Sequence, residues 1–161
     1  MPVEMKIKGL MFDPVSRMPI VILRAKAGDN LLPIFVGYFE ANAILQQIDG
    51  SVAPRPMTHD LLSNMIDALK GKVERIVITD LRDNTFFATI HIDRDGQKLR
   101  IDSRPSDAMA LALRVKAPIL VEEAVLERST ASGDAGQIDE AERLRRWLEN
   151  VDPEELGRYE M

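Results

Sequence analysis

A chain of 161 residues, 45% of them hydrophobic, is long enough for one domain with a tail and can bury a real core. It contains no cysteine, which excludes disulfides and thiolate metal sites. The net charge of −5 resides in residues 129–161, with nine acids against four bases; the balanced remainder lacks the basic surface that announces a nucleic-acid binder, although a local basic cleft stays open.

The chain opens on Met1-Pro2-Val3-Glu4-Met5-Lys6, without the basic region and apolar run of a signal peptide. No apolar run reaches membrane-spanning length, so the expectation is a soluble, cytoplasmic protein with no membrane partner. Residues 3–12 and 19–26 read as strands, the second apolar enough for burial on both faces. The Gly28-Asp29 turn leads into a third strand, 31–36, where Pro33 argues for an edge or a bulge. A helix is expected over 40–49, with Ala41, Ile44, Leu45 and Ile48 facing inward. After the stiff segment 50–57, Thr58 is a plausible cap for a helix over 58–69 that would bury Leu61, Leu62, Met65, Ile66 and Leu69. Strands at 75–81, 86–93 and 98–103 follow, joined by Asp83-Asn84 and Asp95-Gly96 turns. A helix over 107–116 turns Ala108, Leu111, Ala112 and Val115 to the core, with Pro105 suited to its first turn and Ser103 or Ser106 to its cap. Residues 118–121 form a last short strand and 122–128 trail from it. Residues 129–136 read as a linker, and 137–161 as an acidic tail with an amphipathic helix at 138–148.

The two halves repeat. At a constant offset of 67 places, Leu32 falls on Leu99, Ile34 on Ile101, Glu40 on Asp107, Ala41 on Ala108 and Ala43 on Ala110. The expected fold is therefore α+β: a mixed sheet with an internal duplication of a three-strand-plus-helix unit, an extra linking helix and a C-terminal helical tail. Glu40 and Asp107 become symmetry mates. Strand edges near Pro33 and Pro118 would need cover, so a homo-oligomer is an expectation too.

The polar residues gather at element ends. Arg55-Pro56-Met57-Thr58-His59-Asp60 and Asp102-Ser103-Arg104-Pro105-Ser106-Asp107 share one arrangement of arginine, proline, hydroxyl and acid at a helix start. Arg55 and Arg104, stiffened by the prolines, suit a bidentate grip on phosphate; the plainer account is an internal salt bridge to Asp60 or Asp107. His59 suits proton transfer or ligation, or is simply a partly exposed residue at a helix start. Glu40, Asp60, Asp80, Asp102 and Asp107 could cluster with room for water, the setting that Mg²⁺ or Mn²⁺ needs; each alone merely favours a helix start electrostatically. The two arginine segments are expected to face one cleft with Glu40 close by. There is no Gly-rich phosphate loop, Ser-His-Asp spacing or nucleotide fingerprint.

Four segments taken together resemble the bifunctional nuclease domain family: Leu32-Pro33-Ile34-Phe35-Val36-Gly37, Glu40-Ala41-Asn42-Ala43-Ile44, Arg55 to Leu61 and Asp102 to Ala108. The resemblance covers residues 3–128 and is taken to define a nuclease-like domain over 1–128. It implies an α+β fold with internal duplication, and a nuclease hydrolysing DNA or RNA phosphodiesters with low sequence specificity. A divalent cation, Mg²⁺ or Mn²⁺, is the expected cofactor, its ligands unassigned, and nucleic acid the expected partner. Under that reading Glu40, His59, Asp60, Asp102 and Asp107 are the catalytic candidates and Arg55 and Arg104 the phosphate-binding ones. The alternative from another class is a non-enzymatic regulatory or binding domain using the same polar cleft.

Overall fold

Alternating apolar residues build two antiparallel meanders in the computed structural model, which describes residues 1–131. The first comprises β1 (Val3–Phe12), β2 (Pro19–Ala25) and β3 (Leu31–Phe35), followed by helix α1 (Tyr38–Asp49). A second helix, α2 (Thr58–Ala68), leads to β4 (Gly71–Arg82), β5 (Thr85–Arg94) and β6 (Gln97–Ser103), then α3 (Pro105–Val115), β7 (Ile119–Val121) and α4 (Glu123–Ala131). The turns carry the chemistry their residues promise: Asp83, Asn84, Asp95 and Gly96 all have positive φ, as two-residue hairpin loops require.

The seven strands form one sheet in the order β3-β2-β1-β7-β4-β5-β6. Read from either edge, the order is the third, second and first strand of a unit, so the duplication is visible in the topology. Strand β7 pairs antiparallel with β1 and parallel with β4, so β1 and β4 run in opposite senses. That is the relation a twofold axis normal to the sheet demands. Pro33 does lie on an edge strand, where its missing N–H is harmless. Pro118 does not: β7 is interior, and the sheet's edges are β3 and β6.

Helices α1 and α3 pack on the same sheet face and against each other. Small residues permit the close approach, since Ala41, Ala108, Ala110 and Ala112 are fully buried where these elements meet the core. Beneath them lie Leu10, Val21, Leu23, Ile34, Ile76 and Ile78. A smaller cluster of Met11, Ile20 and Ile22 packs on its own, so β2 is buried on both faces as its composition requires.

Five local expectations are corrected. Helices α1 and α3 start two residues early, at Tyr38 and Pro105. The N-caps of α2 and α3 are Met57 and Arg104 rather than Thr58 and Ser103 or Ser106: Thr58 and Ser106 are already helical and Ser103 ends β6. Ile48 is 46% exposed rather than facing inward, whereas Ala41, Ile44 and Leu45 are buried. The trailing segment after β7 is helix α4, which includes Ser129 to Ala131 at the start of the expected linker. Most consequential is α2. Leu61, Leu62, Met65 and Leu69 are exposed, Ile66 is the apolar side chain of the set that reaches the core, and His59 is the helix's one buried residue. The rest of the linker and the acidic tail with its 138–148 helix lie outside the described residues. No described helix is long and apolar enough to cross a membrane.

Candidate functional site

The shifted helix starts give the acids a common position. Glu40, Asp60 and Asp107 are each the third residue of their helix, where a carboxylate meets unpaired backbone N–H groups and the positive end of the dipole. Since α1 and α3 are pseudo-symmetry mates on one sheet face, Glu40 and Asp107 come together near the axis. Gly37 makes room for this, for a Cβ there would collide with the Glu40 carboxylate folded back over the helix start.

Arg104 joins the two acids. Its Nη2 donates to Glu40 Oε1 and Asp107 Oδ2, both at 2.8 Å, while its Nε donates to Asp107 Oδ2 at 3.0 Å. Glu40, and after it Asp107, holds the guanidinium pKa above its ordinary value. The side chain is 67% exposed, and its Nη1 has no partner among the described residues. On the other side of Asp107, Oδ1 lies 2.8 Å from His59 Nε2. An ionised carboxylate only accepts, so that nitrogen carries the proton. His59 is not the partly exposed residue of the plainer reading: it is 6% exposed, wedged between α2 and α3.

Asp60 belongs to a second, adjoining set. Its Oδ2 accepts the Met57 N–H at 2.9 Å and its Oδ1 accepts Arg114 Nε at 2.6 Å. The Met57 N–H, then Arg114, hold its pKa below the usual carboxylate value against the opposing effect of burial. Arg114 was not singled out from the sequence, yet it ties the three helices together. Its side chain is 5% exposed, its Nη1 donates to the carbonyls of Ala43 in α1 and Ala110 in α3, and its Nη2 has no partner among the described residues. The signal was present: Arg114 stands seven residues after Asp107 on the same flank of α3, and alanines at 43 and 110 leave space for it.

The structure thus brings Glu40, His59, Arg104 and Asp107 into one cluster with Asp60 alongside, and leaves two candidates apart. Arg55 is exposed ahead of α2, with no ion pair among the described residues; the salt bridge to Asp60 belongs to Arg114 instead. Asp102 stands opposite Thr89, one place out of phase with the core residues Ala88 and Ile90, and so lies on the sheet face away from the helices. As arranged, the cluster does not fit a divalent cation. The Arg104 guanidinium occupies the space between the Glu40 and Asp107 carboxylates, and no three His, Asp or Glu side chains among the described residues form a metal-holding group.

The comparisons bear on what such a cluster belongs to. An uncharacterised protein of Mycobacterium tuberculosis is 37% identical over 162 aligned residues, covering 95% of this chain and 97% of that one. Bifunctional nuclease 1 of Oryza sativa subsp. indica is 26% identical over 112 residues, and bifunctional nuclease 2 of Arabidopsis thaliana 28% over 105. These cover 68% and 63% of this chain but 34% and 32% of the plant proteins, so the chain spans about a third of their length. The model of the bifunctional nuclease domain matches residues 21–133, which runs from within β2 through α4 and takes in every residue of the cluster. With that match over most of its length, the chain belongs to the bifunctional nuclease domain family.

Proposed function

We propose that the chain is a nuclease that hydrolyses phosphodiester bonds of DNA or RNA with low sequence specificity, using the cluster at the pseudo-twofold axis. The observation that carries this reading is Arg104, an exposed guanidinium whose Nη1 has no partner among the described residues, held in place by Glu40 and Asp107. A guanidinium so fixed presents its free edge to a phosphate oxygen and stabilises the charge that grows there. Asp107, 28% exposed, accepts the proton of a water as that water adds to phosphorus. The bond to the leaving oxygen breaks, and that oxygen takes its proton from solvent. His59, buried behind Asp107, positions the carboxylate and is not itself in reach of substrate. Arg55, exposed ahead of α2, is a second candidate for phosphate contact. None of these roles calls on a metal ion; reactions with EDTA, Mg²⁺ and Mn²⁺ test whether one is needed.

The experiment compares Arg104→Ala and Asp107→Asn with the parent on labelled DNA and RNA, using protein free of host nucleases. Both variants should lose about 10²-fold or more in rate, the scale of a lost proton acceptor or charge stabiliser. Both should melt close to the parent: the Arg104 pairs are exposed and contribute about 1 kcal/mol or less, and Asp107→Asn keeps a side-chain oxygen to accept from the buried His59. Full activity in a folded Asp107→Asn would remove that residue from the mechanism. One observation favours a non-enzymatic binding domain: both oxygens of Asp107 already have partners, His59 and Arg104. Under that reading the parent, well folded, cleaves nothing.

A further inference from the structure

The sheet face turned away from α1 and α3 carries two rows of side chains that cross β4, β5 and β6 in register. One row is Lys72, Asp93, Lys98 and the other is Arg75, His91, Arg100. Directly opposed residues on adjacent strands stand about 5 Å apart, close enough for their charges to matter. The first row is balanced in the ordinary way. An acid stands between two bases, and Lys98 Nζ lies 2.8 Å from Asp93 and 2.6 Å from Glu74, the residue bulged out of β4 beside it.

The second row breaks that pattern. Its centre is a histidine where its neighbour has an acid, and neither Arg75 nor Arg100 has an ion-pair partner among the described residues. Two arginines flanking a ring that can donate from a nitrogen is an arrangement that costs stability in isolation and waits for an anion. Burial and then the two arginines push the His91 pKa down, with Glu74 pulling the other way. The nearby acids do not relieve the row, because Glu74 and Asp93 are engaged with Lys98. Asp102, in the next row beside Thr89, is the patch's remaining acid.

We propose that Arg75, His91 and Arg100 form a docking row for the backbone phosphates of a nucleic-acid duplex. The choice of nucleic acid among polyanions rests on the nuclease reading; the row itself does not. A duplex suits it better than a single strand, which is normally held by bases stacking on aromatic platforms. Phe87, the aromatic beside the row on β5, is already covered by the Arg82 guanidinium, 4.2 Å from its ring centre, and Phe35, which shares this face, stands on β3 at the opposite edge of the sheet. Arginines that meet phosphates alone hold a duplex without reading its bases. The row also opens onto an edge: Arg100 lies on β6, and Arg104 follows four residues later. At strand spacing that is roughly 13 Å, with Arg104 where β6 hands over to α3 on the opposite, helix-covered side of the sheet.

The test measures fluorescence anisotropy of a labelled 20-base-pair duplex with the full chain in EDTA across a chloride series. Arg75→Gln/Arg100→Gln is compared with the parent and with Arg17→Gln/Lys116→Gln, which removes the same charge elsewhere. The row variant should bind about tenfold or more weakly. Its plot of log affinity against log salt should flatten by about 1.8, the counterion release of two lost duplex contacts. The control should keep the parent's slope. Parent-like affinity and slope in a row variant of unchanged melting temperature would overturn the proposal. So would the parent's failure to bind, or displacement of the duplex by inorganic phosphate at matched ionic strength, which would mark a small-anion site. Row-dependent binding with no cleavage in EDTA, Mg²⁺ or Mn²⁺ sinks the nuclease reading and leaves this one standing. Cleavage that is indifferent to the row does the reverse.

Discussion

Arg114 shows how much one buried cation can organise. Its guanidinium joins Asp60 on α2 to backbone carbonyls on α1 and α3, and its side chain is 5% exposed. Removing it strands Asp60 and two carbonyls together, so Arg114→Ala should cost about 3 kcal/mol or more in urea unfolding. Arg104→Ala, at 67% exposure, should cost far less despite having two acidic partners. A parent-like midpoint for Arg114→Ala would show that the three helices do not depend on it. Asp60 adds a pH signature. Its folded pKa lies below the ordinary 3.8, so its contribution is fully present above pH 3.8 and drains as pH falls through the lower folded value. Between pH 5 and pH 3 the parent should therefore lose more stability than Asp60→Asn.

At the scale of the element, α2 separates pattern from placement. Spacing in the sequence shows an apolar stripe, and the stripe exists: Leu61, Leu62, Met65 and Leu69 share a face. That face points outward, with exposures of 53, 40, 53 and 61%. The helix is held instead by His59 on Asp107, Asp60 on Arg114 and Ile66 on the core. Periodicity says that a helix has two sides; which side meets the body depends on the polar groups waiting there. Leu62→Gln/Met65→Gln should then shift unfolding stability by no more than about 0.5 kcal/mol per site. Ile44→Ala, fully buried on α1, should cost about 2–5 kcal/mol. Equal losses at the two sites would mean that the α2 stripe is covered.

For the whole molecule, β7 is the keystone. Three residues, Ile119 to Val121, are paired on both sides and join the two meanders into one sheet. Truncation after Ala117 should expose the edges of β1 and β4 and abolish cooperative melting, whereas truncation after Ala131 should preserve it. Calorimetry of the two truncated chains checks both outcomes, and a cooperative transition without β7 would show that each meander is stable alone.

The sequence by itself determined the local and the repeated features. Strands, turns and helix existence follow from periodicity and from residues such as Asp83-Asn84 and Asp95-Gly96, which act over two to four positions. The offset that laid Glu40 on Asp107 was legible for the same reason, since two copies of one unit carry the same pattern wherever they sit. Only the tertiary structure decided what depends on long-range contact. It put β7 between the copies, turned the α2 stripe outward, carried Asp102 to the far face, and set Arg114 rather than Arg55 on Asp60. Those outcomes turn on which partner satisfies a buried charge or which face a register selects, and residues 48 to 71 positions apart in the chain settle them.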